Sequence, residues 1–143
     1  MTKISIGSDH AGFETKELIK NELIRQGNTV FDKGTFSKDS VDYPDFSHQV
    51  AGSIQNREAE LGFLFCGSGN GVCIAANKHK GIRAALAWNK EIAQLAKAHN
   101  NANILCLPAR FIGNKEAQEI VNVFLDTEFE GGRHQNRIDK IER

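Results

Sequence analysis

The sequence predicts an α/β protein, a three-layer α/β/α sandwich around a five-stranded parallel sheet. Two observations predict it. Short apolar segments alternate with amphipathic segments along the whole chain, and the apolar ones lack the strict apolar–polar alternation of a sheet with one solvent face. With 143 residues and no repeat, low-complexity stretch or linker, we expect one domain, residues 1–143.

The first strand and helix are predicted near the N-terminus. "KISIGSD" has the composition of a short strand. In the following "ETKELIKNELIRQG", the apolar residues Leu18, Ile19, Leu23 and Ile24 share one helical face, and Gly27 supplies a stop. This arrangement predicts a βα unit with that face buried.

A second βα unit follows. "NTVFDKG" is the predicted strand, and "PDFSHQVAGSI" is a predicted helix with Phe46, Val50 and Ile54 four residues apart behind a proline suited to a helix start. The polar segment from Thr35 to Asp42 forms the loop between them.

Three more strand and helix pairs complete the alternation. They are "LGFLFC" with "GVCIAANKH", "GIRAALAW" with "NKEIAQLAKAHN", and "NANILCLPA" with "NKEAQEIVNVFLDTEF". In the tail "EGGRHQNRIDKIER", a Gly-Gly break precedes Ile138 and Ile141 at helical spacing, which predicts a short helix that docks on another surface.

Composition excludes several classes. The 18 basic and 18 acidic side chains balance, so nothing indicates a nucleic-acid or membrane-surface partner. With no targeting segment at the N-terminus and no apolar run near the roughly 18 residues that span a bilayer, we expect a soluble, cytoplasmic protein. Cys66, Cys73 and Cys106 are odd in number and lack the paired spacing of zinc sites, which favours reduced thiols and no metal.

The segment "CGSGNG" follows the third predicted strand and carries Gly67, Gly69 and Gly71 at alternate positions. Ligands of open parallel sheets bind beyond the carboxyl ends of strands. Glycines there allow consecutive N–H groups to face an anion at the start of the next helix. A tight strand-to-helix turn is the alternative, but it accounts for only one or two of the three glycines.

Cys66 does not fit the familiar phosphate motifs. A Walker loop requires a Gly-Lys-Ser/Thr ending, which this segment lacks. A dinucleotide fingerprint requires glycine at position 72 and a phosphatase loop requires arginine there, but residue 72 is valine. A general base, another kind of nucleophile or a packed thiol remain. A helix N-terminus favours a thiolate, and a base beside an oxyanion cradle is the pairing needed to remove a proton next to a carbonyl. Cys73 and Cys106, among apolar residues, are predicted to be core.

Other polar residues have two interpretations each. Asp9 suits a helix cap, although His10 beside it is not explained that way. His99 suits a cation at a helix C-terminus or a proton donor in the site. His48 and His79 are predicted to lie on helical surfaces without chemistry.

Arg133 and Arg137, four residues apart in the tail, could present two guanidinium groups to a phosphate. The alternative is a solvated face with ion pairs to Asp139 and Glu142.

The combined motifs resemble the ribose-5-phosphate isomerase B family, which shares its Rossmann-like fold with galactose-6-phosphate isomerase subunits. The matching segments, spread over nearly the whole chain, are "GSDHAGF", "DKGT", "DYP", "CGSGNG" with "IAANK", "GIRAA", "AHNNANIL" and "EGGRHQNRI". Some relatives use a glutamate as the base, whereas Cys66 places this chain with the cysteine type.

The resemblance implies a metal-independent aldose–ketose isomerase without cofactors that works through a cis-enediolate in the pentose phosphate pathway. It implies Cys66 as the base, His99 as the acid that opens the sugar ring and Ser68 as a proton shuttle at the hydroxyls. The implied substrate-binding residues are the cradle of Gly67, Gly69, Asn70 and Gly71, the hydroxyl contacts Asp9, Tyr43 and Asn100, and the phosphate contacts His10, Arg110, Arg133 and Arg137.

The family site lies between two subunits, which implies a homodimer or a homotetramer. The main expected reaction is the interconversion of ribose 5-phosphate and ribulose 5-phosphate. The same chemistry on allose 6-phosphate or galactose 6-phosphate is an alternative, as is a non-catalytic subunit that binds a sugar phosphate. The presence of Cys66, Ser68 and His99 weighs against a non-catalytic subunit.

Overall fold

The computed structural model describes residues 1–143. The strands are β1 (Lys3–Ser8), β2 (Thr29–Asp32), β3 (Leu61–Cys66), β4 (Ala84–Leu86) and β5 (Ile104–Pro108). The helices are α1 (Phe13–Arg25), α2 (Tyr43–Gln55), α3 (Asn70–Ala76), α4 (Lys90–Ala98), α5 (Asn114–Asp126) and α6 (Arg133–Ile138). The five predicted strands and the short tail helix are confirmed. None of the helices has the length and apolarity needed to cross a membrane.

The five strands form one parallel sheet in the order β2-β1-β3-β5-β4. The chain moves outward from β1 to β2 and then returns to the other side of β1 with β3, so the direction of winding changes between β1 and β3. This switch point is where open α/β sheets form their ligand crevices. The last residues of β1 and β3 lie side by side, because Ser8 pairs with Phe65.

Helices cover both faces of the sheet. Phe63 and Phe65 point into the core formed with α1, α4 and α5, where Phe63 meets the ring of Phe124 edge-on at 5.7 Å. Leu64 and Cys66 point to the opposite face and pack with residues of α2 and α3. Because side chains of a strand alternate in direction, Cys66 ends β3 on the side where α3 begins.

The buried face of α1 differs from the prediction. Ile19 and Leu23 are buried as expected, but Ile24 is 53 % exposed and Lys16 is fully buried instead. The Lys16 ammonium donates to both oxygens of Asp32 at 2.7 Å. A buried ammonium needs such a paired carboxylate, and a pattern of apolar residues does not reveal that pairing.

Burial of Asp32 opposes its ionisation, but hydrogen bonds from Lys16, from the Gly34 backbone N–H and from Lys20 outweigh burial and hold the pKa of Asp32 below its usual value. The charged pair thus fixes the end of β2 to α1. The loop that leads to α2 begins from this anchor.

Candidate active site

A cleft of about 420 Å³ opens at the carboxyl edge of the sheet, at the switch point between β1 and β3. Eight of the predicted site residues line it: Asp9, His10, Tyr43, Cys66, Gly67, Ser68, Gly71 and Arg110. They come from the segment after β1, the start of α2, the stretch from the end of β3 to the start of α3, and the segment after β5. Parallel strands bring these four segments to one edge, although they are far apart in sequence.

The Cys66 sulfur lies at the base of the cleft, and the residue is only 5 % exposed. The backbone N–H of Gly69 donates to this sulfur at 3.2 Å. Gly69 has a φ of 76°, and a β-carbon there would lie 2.5 Å from Leu86 Cδ1. A side chain at this position would be strained by the backbone conformation and crowded by the backbone of Leu107 and Pro108 at 3.2 Å, so glycine suits the turn that directs the N–H at the sulfur.

The remaining N–H groups of the loop divide into two sets. Asn70 donates its backbone N–H to the Ser68 hydroxyl at 3.2 Å. The N–H groups of Gly67, Ser68 and Gly71 have no acceptor in the protein, and all three residues line the cleft. Free N–H groups around a cleft next to a helix N-terminus form a cradle for a negatively charged oxygen.

Tyr43, the first residue of α2, closes one side of the cradle. A β-carbon on Gly71 would lie 2.6 Å from the Tyr43 ring, so the ring rests directly against the glycine backbone. The opposite side is formed by Arg110, whose backbone N–H donates to the Gly67 carbonyl at 3.0 Å. The Arg110 side chain is exposed and has no carboxylate partner, which leaves its guanidinium group available to an anion.

Asp9 does not cap α1, whose N-cap residue is Gly12, but it supports the turn before that helix. Its carboxylate accepts the Gly12 N–H at 3.0 Å, which orders the turn before α1, and the residue also lines the cleft. His10 beside it accepts the Val41 N–H on Nδ1 at 3.2 Å. The proton of the neutral His10 ring is therefore on Nε2, and the ring can donate a hydrogen bond from that atom.

Four predicted site residues lie elsewhere: His99, Asn100, Arg133 and Arg137. His99 is the C-cap of α4, just before β5, at the amino edge of the sheet. At that edge the Gly62 N–H, at the start of β3, donates to the Asn103 carbonyl. Cys66 is at the opposite end of the same strand, roughly 15 Å away at about 3.3 Å per residue. Within one chain, His99 and Cys66 do not meet.

His99 belongs to a second cluster at the amino edge. Its ring stacks on His134 with 4.3 Å between the centroids and an angle of 13° between the planes. The Glu130 Oε1 atom lies 3.7 Å from His99 Nε2 and 3.3 Å from His134 Nε2. Sequence patterning did not single out His134 or Glu130, because Gly131 and Gly132 between them have positive φ and the contact does not arise from helical spacing.

Arg133 and Arg137 are exposed on α6 and have no ion-pair partner. The carboxylates that could have neutralised them are engaged elsewhere. Asp139 accepts from the Gln135 amide at 2.7 Å, and Glu142 accepts from the Gly81 N–H at 2.8 Å. The two guanidinium groups are therefore free for an external anion.

The other titratable residues singled out earlier are structural or lie on the surface. Cys106 is buried, and burial raises the pKa of its thiol; the neighbouring Cys73 thiol contributes to the same shift. Cys73 is half-buried and donates to the Ala84 carbonyl. His48 is exposed and His79 is half-buried, and the two contact each other at 2.7 Å, Nδ1 to Nε2, away from the cleft.

A family model described as Ribose/Galactose Isomerase matches residues 4–141. Among curated proteins, the chain is 43 % identical over 141 residues to "Ribose-5-phosphate isomerase B" of Escherichia coli (strain K12), with 99 % of this chain and 95 % of that protein covered.

Solved structures of ribose-5-phosphate isomerases have the same fold as this chain. The chain is similar to a ribose 5-phosphate isomerase of Thermotoga maritima (TM-score 0.97, 55 % identity, 99 % of this chain and 97 % of that chain covered). It is also similar to the ribose-5-phosphate isomerase B of Mycoplasma genitalium with bound ribulose-5-phosphate (TM-score 0.93, 48 % identity, 97 % and 93 % covered).

Proposed function

The chain belongs to the ribose/galactose isomerase family, and we propose that it interconverts D-ribose 5-phosphate and D-ribulose 5-phosphate as a single isomerase domain, residues 1–143. The observation that carries the proposal is the Cys66 sulfur beside the free N–H groups of Gly67, Ser68 and Gly71. A base next to an oxyanion cradle is what a proton transfer through an enediolate requires.

In the open-chain aldose, the Cys66 thiolate removes the proton from C2. The electron pair of that bond forms the C1–C2 double bond, and the carbonyl electrons move to O1. The N–H groups of the cradle stabilise the negative charge that develops on O1. The Cys66 thiol then returns the proton to C1, the O2 proton moves to O1, and a carbonyl forms at C2. Ser68 assists the transfer between the two oxygens, and neither metal nor cofactor takes part.

Ribose 5-phosphate exists mainly as a furanose, so the ring must open first. We assign the acid to His99. The C1–O4 bond breaks, O4 keeps the electron pair and takes the proton of the His99 imidazolium, and O1 loses its proton to water as the C1 carbonyl forms. His99 and Cys66 lie at opposite edges of the sheet in one chain, which supports assigning the catalytic His99 to a second copy.

We likewise assign the phosphate contacts to two copies. His10, through Nε2–H, and Arg110 border the cleft of one subunit. The free guanidinium groups of Arg133 and Arg137 on α6 of the other subunit accompany His99 and Asn100. Asp9 and Tyr43 bind sugar hydroxyls from the first subunit. A homodimer is then the smallest active assembly, and a homotetramer contains two such pairs.

The chemistry belongs to the pentose phosphate pathway, where ribose 5-phosphate and ribulose 5-phosphate are exchanged, and we place the protein in the cytoplasm. A family member with this reaction needs no nucleic-acid or membrane partner.

The first test is a turnover assay of purified protein with chelator present, using ribose 5-phosphate, allose 6-phosphate and galactose 6-phosphate in parallel. We expect the pentose phosphate to have the highest kcat/KM, because specificity is the ratio of these values between competing substrates. A higher value for either hexose phosphate would overturn the assigned substrate. No turnover of any sugar would favour a non-catalytic subunit.

A further inference from the structure

The cluster of His99, Glu130 and His134 at the amino edge contains two residues without a role in the mechanism above. We propose that Glu130 and His134 are positioning residues of the ring-opening step, which hold the His99 imidazole in one orientation for proton transfer to the ring oxygen. This inference rests on the proposed function, since it assigns a role in that same reaction.

The backbone brings the three side chains together. The Glu130 N–H donates to the Ala98 carbonyl at 3.0 Å, one of the last carbonyls of α4. Carbonyls in the last turn have no partner inside their own helix, so this bond ties the segment after α5 to the end of α4, directly beside His99. The position of Glu130 relative to His99 is thus set by main-chain atoms.

The two glycines after Glu130 turn the chain back toward His99. Gly131 and Gly132 have φ angles of 70° and 57°, which side chains rarely adopt, and the His134 N–H donates to the Gly131 carbonyl at 3.1 Å. His134 thereby reaches back to Glu130 and lies flat on the His99 ring. It is the better buried of the two rings, since 11 % of its side chain is exposed, compared with 42 % for His99.

The contacts leave His99 with limited freedom. One face of its ring is covered by His134, with 13° between the planes, and its Nε2 edge faces the Glu130 carboxylate at 3.7 Å. An exposed histidine otherwise samples several side-chain rotamers. A proton donor held in one orientation loses less freedom when the substrate binds, which increases the rate of the step it serves.

Two histidines and a glutamate also have the composition of a metal site, but the ring geometry does not suit one. A metal ion binds imidazole nitrogen in the plane of the ring at about 2.0–2.1 Å. The two rings here are stacked and nearly parallel, so no single point lies in both ring planes at that distance. The three side chains therefore orient the His99 ring, and the two imidazoles do not point to a common metal position.

The test separates ring opening from proton transfer between carbons. Ribulose 5-phosphate has no free hydroxyl that can close a furanose ring, so solvent deuterium exchange at its C1 needs Cys66 and the cradle but not His99. Each variant is assayed by NMR in deuterated water for this exchange and separately for conversion of ribose 5-phosphate. The thermal midpoint of each variant is recorded alongside.

Glu130→Gln keeps the size of the side chain and removes its charge. We expect kcat for ribose 5-phosphate to fall about tenfold, a fraction of what general acid catalysis contributes, while C1 exchange changes less than about twofold. Glu128→Gln is the matched control, because Glu128 is exposed in the same segment and makes no ion pair. His134→Phe keeps a stacked ring without Nε2, and we expect a smaller loss than for His134→Ala.

A double-mutant cycle excludes a general structural effect. Adding Glu130→Gln to His99→Asn should cause no further loss, because positioning residues act only through the residue they position. Equal losses of conversion and exchange, or a full additional loss in the His99→Asn background, would overturn the proposal. Zinc inhibition of the wild type that Glu130→Gln abolishes, with unchanged zinc-free rates in that variant, would replace the positioning role with a metal site.

If the wild type performs neither conversion nor exchange, the proposed function itself fails. If the wild type performs both and Glu130→Gln matches it in each assay, only the positioning role fails.

Discussion

The two edges of the sheet carry different halves of the proposed site. At the carboxyl edge, Cys66, its glycine loop and Tyr43 already contact one another within one chain. At the amino edge, His99 is oriented, but the guanidinium groups of Arg133 and Arg137 face solvent without partners. Under the proposed function, one chain is organised for proton transfer between carbons, whereas the proposed ring opening and part of the proposed phosphate binding would require a second copy.

The largest expected effect tests the carboxyl edge alone. Cys66→Ala removes the base, and we expect both ribose 5-phosphate conversion and C1 exchange to fall about 10⁴-fold, the upper range for general base catalysis. Cys73→Ala is the control, because that thiol packs against the core and lies outside the cleft. A Cys66→Ala variant that retains C1 exchange would show that another group is the base.

The next prediction concerns the buried ion pair between Lys16 and Asp32 at the end of β2. Asp32→Asn removes the carboxylate that the fully buried Lys16 ammonium contacts through both oxygens, and leaves Glu17 Oε2, at 2.9 Å, as its remaining carboxylate partner. We expect a loss of about 1.5–3 kcal/mol, as for a hydrogen bond to a charged group. Chemical denaturation with and without the substitution measures the loss. Glu22→Gln is the control, since its ion pair with Arg25 lies on the surface. A loss below about 1 kcal/mol, the range of surface pairs, would contradict the buried pairing.

The pKa of Asp32 also gives this pair a pH dependence. Its pKa is lowered below the ordinary value of 3.8. A carboxyl whose pKa is lower in the folded state contributes its full stability above the unfolded pKa and loses it as the pH falls through the folded pKa. The difference in unfolding free energy between wild type and Asp32→Asn should therefore shrink below about pH 4.

The third prediction tests, by mixing two variants, whether Cys66 and His99 of one site come from different chains. His99→Asn should lower ribose 5-phosphate conversion about a hundredfold and leave C1 exchange intact. Refolding equal amounts of His99→Asn and Cys66→Ala chains together should restore about a quarter of wild-type activity, because half of the dimers are mixed and each has one intact site of two. A site contained in one chain would restore nothing, so the mixing experiment decides between the two arrangements.

Apolar patterning was sufficient to predict the five strands, the order of elements and the position of Cys66 at the end of β3. Apolar patterning did not predict the burial of Lys16, because that burial depends on the carboxylate of Asp32, which is distant in sequence. The separation of His99 from Cys66 was already implied by the predicted parallel sheet, since His99 precedes a strand and Cys66 ends one; it was the family resemblance that assigned both residues to one site. Glu130 was overlooked because it lies in the segment between α5 and α6, and its partner His99, at the end of α4, is distant in sequence.

The smallest expected effect tests the free cations of the amino edge. Arg137→Ala removes one charge-assisted contact to phosphate, and we expect KM for ribose 5-phosphate to rise about tenfold with a smaller change in kcat, as for loss of binding shared by ground state and transition state. Lys140→Ala is the control, since it removes a neighbouring exposed charge of the tail. C1 exchange should show the same rise in KM for ribulose 5-phosphate, because both sugars carry the phosphate. This parallel rise would separate Arg137 from His99, whose loss is expected to affect conversion only, and would distinguish the two roles proposed for the amino edge.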